Sequence, residues 1–192
     1  MEQVRSFVAI DLPDELRQLL SRVQTRLKAG SRAPAKWVDP DSIHLTLKFL
    51  GNVDTDMINR ITLVLQDAVR GIAPLHLEVK GLGAFPNLKR VQVVWVGMGG
   101  DLEGLSRLQR QIDSSLKSLG FTPESRPFNP HLTLARMRDR ATPDERQRLG
   151  QLIEGTSLEE IYSFRVDAIN LMKSQLTREG AIYRRLAAIA LK

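Results

Sequence analysis

The stretch SIHLTLKFLG, residues 42–51, contains four letters that return in FNPHLTLARM, residues 128–137. Each His-Leu-Thr-Leu is followed, eleven residues after its histidine, by a threonine, Thr55 or Thr142, at the start of a helical pattern. Threonine is a common N-cap residue, so both threonines are predicted to cap helices. The order of strand, short loop and capped helix therefore occurs twice, which predicts an α+β fold built from two related lobes.

The other elements follow from hydrophobic periodicity and from turn residues. We expect one domain over 1–192, bilobal and pseudo-twofold, with mostly antiparallel sheet and helices on the outer faces. The expected helices cover 14–30, 55–70, 101–120 and 143–153. The expected strands cover 4–12, the two motif stretches, 75–82, 90–97, 161–172 and 182–191, while 31–42 is predicted to be a loop.

The composition excludes several classes of protein. No cysteine is present among the 192 residues, which excludes disulfides, thiolate metal sites and cysteine nucleophiles. No stretch approaches about 18 uninterrupted apolar residues, so we expect a cytoplasmic protein that does not associate with membranes. Lysine and arginine total 28 against 22 acidic residues, a net charge of +6. This excess favours a polyanionic partner such as RNA.

Side chains alternate between the two faces of a β-strand, and this divides each motif into an apolar and a polar face. In the first motif, one face carries Ile43, Leu45, Leu47 and Phe49, and the other carries His44, Thr46 and Lys48. In the second motif, Leu132 and Leu134 lie opposite His131 and Thr133. Each strand is therefore predicted to bury its leucines and to present an imidazole beside a hydroxyl.

A single His-x-Thr would usually be structural, because threonine is a good strand former and an isolated strand histidine is most often a packing residue. The repetition argues for function. Only three histidines are present, and His44 and His131 occupy the same context. The third, His76 in PLHLEV, has no threonine two residues later and is predicted to be a strand residue only.

Two opposed His/Thr faces suit in-line attack of water on a cyclic phosphate, since the attacking and leaving oxygens lie on opposite sides of phosphorus. One imidazole takes the proton of water and the other protonates the leaving ribose oxygen. The ordinary histidine pKa of about 6.5 makes both protonation states accessible near neutrality. Threonine hydroxyls donate hydrogen bonds to the non-bridging oxygens. The spacing does not say which histidine is the acid.

The chain resembles the two-histidine (2H) phosphoesterase superfamily, and within it the RNA 2′,3′-cyclic phosphodiesterases, also called 2′-5′ RNA ligases. The resemblance lies in both motifs and in RSFVAIDLP, KWVDPDSIHLTLKFLG, GLGAFPNLKRVQVVWVG and RPFNPHLTLAR, and it covers about residues 4–190. It implies a bilobal α+β fold with both motifs on one central cleft. It also implies that His44 is the proton donor and His131 the proton acceptor.

Four further residues are candidates for substrate binding. Lys48 shares the histidine face and is a candidate for phosphate, or is a solvated lysine at a strand end. Arg136 would point away in a regular strand, yet the resemblance implies a substrate contact, and a bulge or strand end after Ala135 would reconcile the two. Phe85 stacks on a base or is buried in the core. Arg126 lies at the cleft mouth or stabilises a turn.

The resulting hypothesis is a metal-independent cyclic phosphodiesterase without a cofactor. Its expected partner is an RNA or oligonucleotide with a 2′,3′-cyclic phosphate end, with tRNA fragments and cyclic nucleotides as further candidates, and we expect a monomer. The same histidines would serve formation of a 2′-5′ linkage. The alternative is a non-catalytic RNA-end or nucleotide-binding module of the same fold. Two His/Thr pairs argue against it, because binding alone does not require paired proton-transfer groups.

Overall fold

The computed structural model describes residues 2–158, 160–178 and 180–192 and confirms the predicted α+β class. The helices are α1 (Asp14–Gly30), α2 (Met57–Ala68), α3 (Leu102–Leu116) and α4 (Pro143–Glu154). The strands are β1 (Gln3–Ile10), β2 (Ala35–Trp37), β3 (Leu45–Asp54), β4 (Leu75–Phe85), β5 (Val93–Gly100), β6 (His131–Met137), β7 (Tyr162–Val166), β8 (Ala168–Leu176) and β9 (Ala181–Ala190).

The strands form two sheets in which every neighbouring pair is antiparallel. The four-stranded sheet has the order β3-β1-β8-β9, and the five-stranded sheet has the order β2-β6-β5-β4-β7. The motif strands β3 and β6 occupy corresponding places, since β3 pairs with β1 and β6 pairs with β5. In each half the chain runs through a central strand, a helix, the motif strand and a second helix. This correspondence is the duplication predicted from the repeated motif.

The sheets and helices share one continuous apolar core. Helix α1 contributes Leu16, Leu20 and Leu27 to it, and all three side chains are buried. Burying a leucine side chain contributes roughly 1.5–3 kcal/mol relative to leaving it exposed. The leucines of both motifs are buried as well, so the sheet faces that carry them are the ones packed against helices. The opposite faces are left to form a cleft.

The two predicted helix caps have different outcomes. The Thr142 cap is confirmed: its hydroxyl accepts a hydrogen bond from the Glu145 N–H, and the Glu145 carboxylate accepts one from the Thr142 N–H. The Thr55 cap is wrong, because Asp56 occupies the N-cap of α2. The Thr55 N–H donates to the carbonyl oxygen of Glu2 at 3.0 Å, which keeps Thr55 at the end of the strand pairing.

Two strand predictions need correction. The expected strand 161–172 is two strands, β7 and β8, which belong to different sheets and are separated by Asp167. The apolar pattern continues through this crossing, so periodicity alone did not reveal it. The expected loop 31–42 contains β2, a three-residue strand that pairs with β6 and is too short to show a period. No helix of the described residues is long and apolar enough to cross a membrane.

Candidate active site

Both motifs line one cleft of about 700 Å³ to which both sheets contribute residues. His44 and Thr46 come from the first motif, and His131 and Thr133 come from the second. The four side chains are neither fully buried nor fully exposed, so they contact the core and remain accessible to a ligand. The predicted convergence of the two His/Thr pairs is therefore present in the structure.

The two histidines are oriented in the same way. Nδ1 of His44 lies 2.9 Å from the carbonyl oxygen of Ser42, and Nδ1 of His131 lies 2.7 Å from the carbonyl oxygen of Asn129. A carbonyl oxygen only accepts hydrogen bonds, so each Nδ1 carries the proton and donates. Nε2 is therefore the ring atom of each histidine that is able to exchange a proton with a ligand.

Aromatic side chains surround His44. Phe7 stacks on it with ring centroids 4.6 Å apart and an interplanar angle of 27°, and Tyr183 meets it edge-on at 5.0 Å. Burial lowers the pKa of His44, and this effect outweighs the hydrogen bond to the Ser42 carbonyl and the charge of Asp11, which act in the opposite direction. The neutral form of His44 is therefore favoured in the free protein.

His131 has a different neighbour. The ring of Phe85 meets it edge-on, with centroids 4.8 Å apart and an interplanar angle of 90°, and also contacts Trp95 at 5.3 Å. Phe85 is half-buried, and the cleft lining among the described residues does not include it. The structure thus places Phe85 as a packing neighbour of the His131 ring. Stacking of Phe85 on a base stays a prediction.

A bulge in β3 corrects the prediction for Lys48. Thr46 pairs with Ala9 and Lys48 pairs with Val8, so Leu47 is an extra residue on the bulged strand. The bulge turns the residues after Leu47 to the opposite faces. Lys48 is consequently buried and is not on the histidine face.

The buried Lys48 has partners of its own. Its Nζ donates to the carboxylate of Asp113 on α3 and, at 2.9 Å, to the carbonyl oxygen of Thr122. Lys48 thus belongs to the packing between β3 and α3. This placement does not support its predicted contact with phosphate, which stays a prediction.

The matching bulge in β6 explains Arg136. Thr133 pairs with Trp95 and Ala135 pairs with Val94, so Leu134 is the extra residue. Leu134 and Ala135 are both buried, and Arg136 returns to the histidine face and lines the cleft. Of the two alternatives, a bulge or a strand end after Ala135, the structure shows the bulge, one residue earlier, and β6 continues to Met137. The contact of Arg136 with substrate remains a prediction.

Each bulge is held by a buried glutamine. Gln24 on α1 donates through Nε2 to the carbonyl oxygens of Leu134, at 3.0 Å, and Val38, at 2.7 Å. Gln109 on α3 lies with Nε2 3.5 Å from the carbonyl oxygen of Leu47. Each helix therefore supports the motif strand of the other half. A buried amide is costly without a partner, which explains why these polar residues lie on otherwise apolar helix faces.

Several cleft residues were not found from the sequence. Arg5 and Phe7 line the cleft from β1, and Tyr183 lines it from β9. Alternation in VRSFVAI could have shown that Arg5 and Phe7 share a face. The position of Tyr183 depends on the pairing of β9 with β8 and has no local signal. Burial raises the pKa of the Tyr183 hydroxyl, while Arg136 and Arg5 lower it, so this group stays protonated and can donate a hydrogen bond.

Arg126 is placed outside the cleft. It lies in an exposed segment between α3 and β6, and its backbone N–H donates to the carboxylate of Glu124 at 3.2 Å. The cleft lining among the described residues does not include Arg126. Its predicted place at the cleft mouth is therefore not supported, and a local turn contact is what the structure shows.

An α+β fold with two His-x-Thr faces on one cleft defines a two-histidine phosphoesterase architecture, and comparisons with known proteins agree with it. The 2′-5′ RNA ligase superfamily matches residues 12–178. The RNA 2′,3′-cyclic phosphodiesterase of Methanothermobacter thermautotrophicus is 40% identical over 94% of this chain and 95% of its own length. The protein of the same name from Archaeoglobus fulgidus is 33% identical over 95% of this chain and 98% of its own length.

Solved structures show the same relationship. Escherichia coli LigT complexed with 3′-AMP superposes with a TM-score of 0.79 at 28% identity, covering 100% of this chain and 99% of that one. A protein of Thermus thermophilus superposes with a TM-score of 0.78 at 26% identity, covering 97% of both chains. The chain belongs to the 2′-5′ RNA ligase superfamily, which confirms the resemblance found in the sequence.

Proposed function

We propose that this protein is an RNA 2′,3′-cyclic phosphodiesterase that opens cyclic phosphates at RNA ends to 2′-phosphates. The observation that carries the proposal is the pair of histidines on one cleft, each with Nδ1 committed to a backbone carbonyl and a threonine two residues later. The name shared by its relatives supports the same substrate.

In the proposed reaction, Nε2 of His131 accepts a proton from water as the water oxygen attacks phosphorus. The bond between phosphorus and the ribose 3′ oxygen breaks, and Nε2–H of His44 donates its proton to that oxygen. The phosphate remains on the 2′ oxygen. His131 ends protonated and His44 neutral, and proton exchange with solvent restores both. Each proton transfer of this kind typically contributes roughly 10²–10⁴-fold to the rate.

The other cleft residues stabilise the charge on phosphate. The hydroxyls of Thr46 and Thr133 donate to the non-bridging oxygens, and the guanidinium of Arg136 supplies a positive charge with donors in a planar array. Preorganised donors aimed at developing charge are among the larger contributors to catalysis. These groups supply acid, base and charge stabilisation, so we expect activity without added metal ions.

The same site accounts for a 2′-5′ RNA ligase activity. If a 5′-hydroxyl replaces water as the nucleophile, His131 takes the hydroxyl proton and the product is a 2′-5′ phosphodiester. We further propose that the substrate is an RNA or oligonucleotide end, with tRNA fragments and cyclic nucleotides as candidates, and that the protein acts as a cytoplasmic monomer. The net charge of +6 supports a polyanionic substrate.

The test is an assay of cyclic-phosphate opening on an oligonucleotide in excess EDTA, repeated with His44→Ala and His131→Ala. We expect full activity in EDTA, a 2′-phosphate product, and loss of at least about 10²-fold in each variant. His76→Ala is the matched control and should retain activity. An inactive wild-type protein that still binds the substrate would favour the non-catalytic binding module. A 3′-phosphate product would show that the ribose 2′ oxygen, and not the 3′ oxygen, is the leaving group.

A further inference from the structure

Phe49 is an exposed aromatic side chain inside the cleft. It is 67% exposed and lines the same cleft as the two histidines. Alternation in the motif predicts that Phe49 is buried beside Leu45 and Leu47, and the bulge at Leu47 overturns that prediction. A large apolar ring held open to solvent in a cleft is a feature of ligand sites more than of structural packing.

The position of Phe49 corresponds to that of Arg136. Each residue stands five positions after its motif histidine, and each is brought to the cleft by the bulge of its own strand. One half of the molecule thus presents a cation to the cleft, and the other half presents an aromatic ring. A nucleotide carries one group for each of these side chains. Its phosphate pairs with a guanidinium, and its base stacks on an aromatic ring.

Phe7 connects Phe49 to the catalytic centre. The Phe7 ring lies 4.6 Å from the ring of His44 and 6.2 Å from the ring of Phe49. Phe49 is therefore one ring further from the proton donor than Phe7 is. Leu176 from β8 is also exposed and lines the cleft, so Phe49 is one of two large apolar side chains open to solvent in the cleft lining of the described residues. The base of a nucleotide is likewise separated from its phosphate by the ribose.

We propose that Phe49 stacks on the base of the nucleotide that carries the cyclic phosphate. The inference rests on the proposed function in one respect, namely that the phosphate lies between His44 and His131. Stacking on an aromatic ring is tolerant of base identity, because every base has a π face. The site should therefore accept all four terminal nucleotides and should distinguish a substrate with a base from one without.

The experiment compares adenosine 2′,3′-cyclic phosphate with the 2′,3′-cyclic phosphate of 1-O-methylribose, which has no base. We expect the wild-type protein to prefer the nucleotide in kcat/KM by roughly 10- to 100-fold, the range of one stacked base. Phe49→Ala should abolish most of that preference, because the loss in kcat/KM falls on the nucleotide much more than on the baseless substrate. Phe49→Leu keeps apolar bulk without a π face and should behave similarly, whereas Phe49→Tyr should retain the preference.

Leu63→Ala is the matched control, since Leu63 is 61% exposed on α2 and does not line the cleft. An unchanged preference in Phe49→Ala, or an equal loss on both substrates, would overturn the inference and leave the proposed function intact. A second measurement does not require turnover. Phe49→Ala should weaken binding of adenosine 2′-phosphate by a similar factor without affecting inorganic phosphate, and equal affinities for wild type and variant would overturn the inference.

Discussion

Phe7 lies against the imidazole of His44, with ring centroids 4.6 Å apart and an interplanar angle of 27°. With Tyr183 at the ring edge, this contact removes water from much of the His44 surface, and burial lowers the pKa of the imidazole. The proposed proton donor is therefore largely neutral in the free protein at neutral pH. A bound cyclic phosphate brings a negative charge that favours the imidazolium form.

This arrangement predicts two different alkaline limbs in the pH dependence. The value of kcat/KM reports the free protein, so its alkaline limb should lie below the ordinary histidine pKa of about 6.5. The value of kcat reports the substrate complex, so its alkaline limb should lie at higher pH. Both are measured from initial rates on a cyclic-phosphate oligonucleotide. Coinciding limbs would contradict this prediction.

NMR titration of the His131→Ala protein provides an independent measurement, because that variant has only two histidines, His44 and His76, and the His44 signal is identified by its loss in a His44→Ala variant. The His44 resonance should titrate below the ordinary histidine range, and addition of inorganic phosphate should raise its pKa. Phe7→Leu should also raise the pKa of His44, since a smaller side chain leaves the imidazole more exposed to water.

Replacement of Arg136 should affect phosphate recognition. Arg136→Ala should lower kcat/KM by roughly 10- to 100-fold, the usual cost of a lost hydrogen bond to a charged group. Arg136→Lys should recover only part of the loss, because an ammonium lacks the planar pair of donors. Arg140 is an exposed residue that does not line the cleft. Arg140→Ala changes the net charge by the same amount as Arg136→Ala and should have little effect on kcat/KM. A similar loss in both alanine variants would indicate general electrostatic attraction.

The two His/Thr pairs could be predicted because each lies within the regular part of its motif strand. Between His44 and Thr46, and between His131 and Thr133, a period of two holds, and the sequence alone indicates the shared face. The repetition then predicts that the two faces belong to one site, and the structure places both on one cleft. Predicting these residues requires no knowledge of which strands pair.

The residues after the bulges were predictable only in part. The extra residue at Leu47 depends on the pairing of β3 with β1 and is supported from α3, far along the chain. Local alternation therefore assigned Lys48 and Phe49 to the wrong faces. Arg136 lines the cleft, as the resemblance implied, and the conflict between alternation and resemblance had left a bulge or a strand end as its two explanations.

Lys48 should matter for stability and not for catalysis. Removing it leaves the carboxylate of Asp113, which is largely buried, without its cation, and breaking a buried pair in this way costs about 3–5 kcal/mol. Lys48→Met should therefore lower the free energy of unfolding in urea, and a second change, Asp113→Leu, should restore part of it. The folded variants should retain kcat. A selective rise in KM without loss of stability would instead assign Lys48 to phosphate binding.

Gln24 should act on catalysis through Arg136, because its amide holds the carbonyl oxygen of the bulge residue Leu134. Gln24→Met keeps the length of the side chain but removes both donors, so we expect a loss of about 1–3 kcal/mol in stability and a fall in kcat/KM. The fall in kcat/KM should disappear when Arg136→Ala is already present, and a double-mutant cycle measures this coupling. A loss of stability alone would not produce such coupling. Gln18→Met, an exposed change on the same helix, is the control. An equal fall with and without Arg136 would show that Gln24 does not position this arginine.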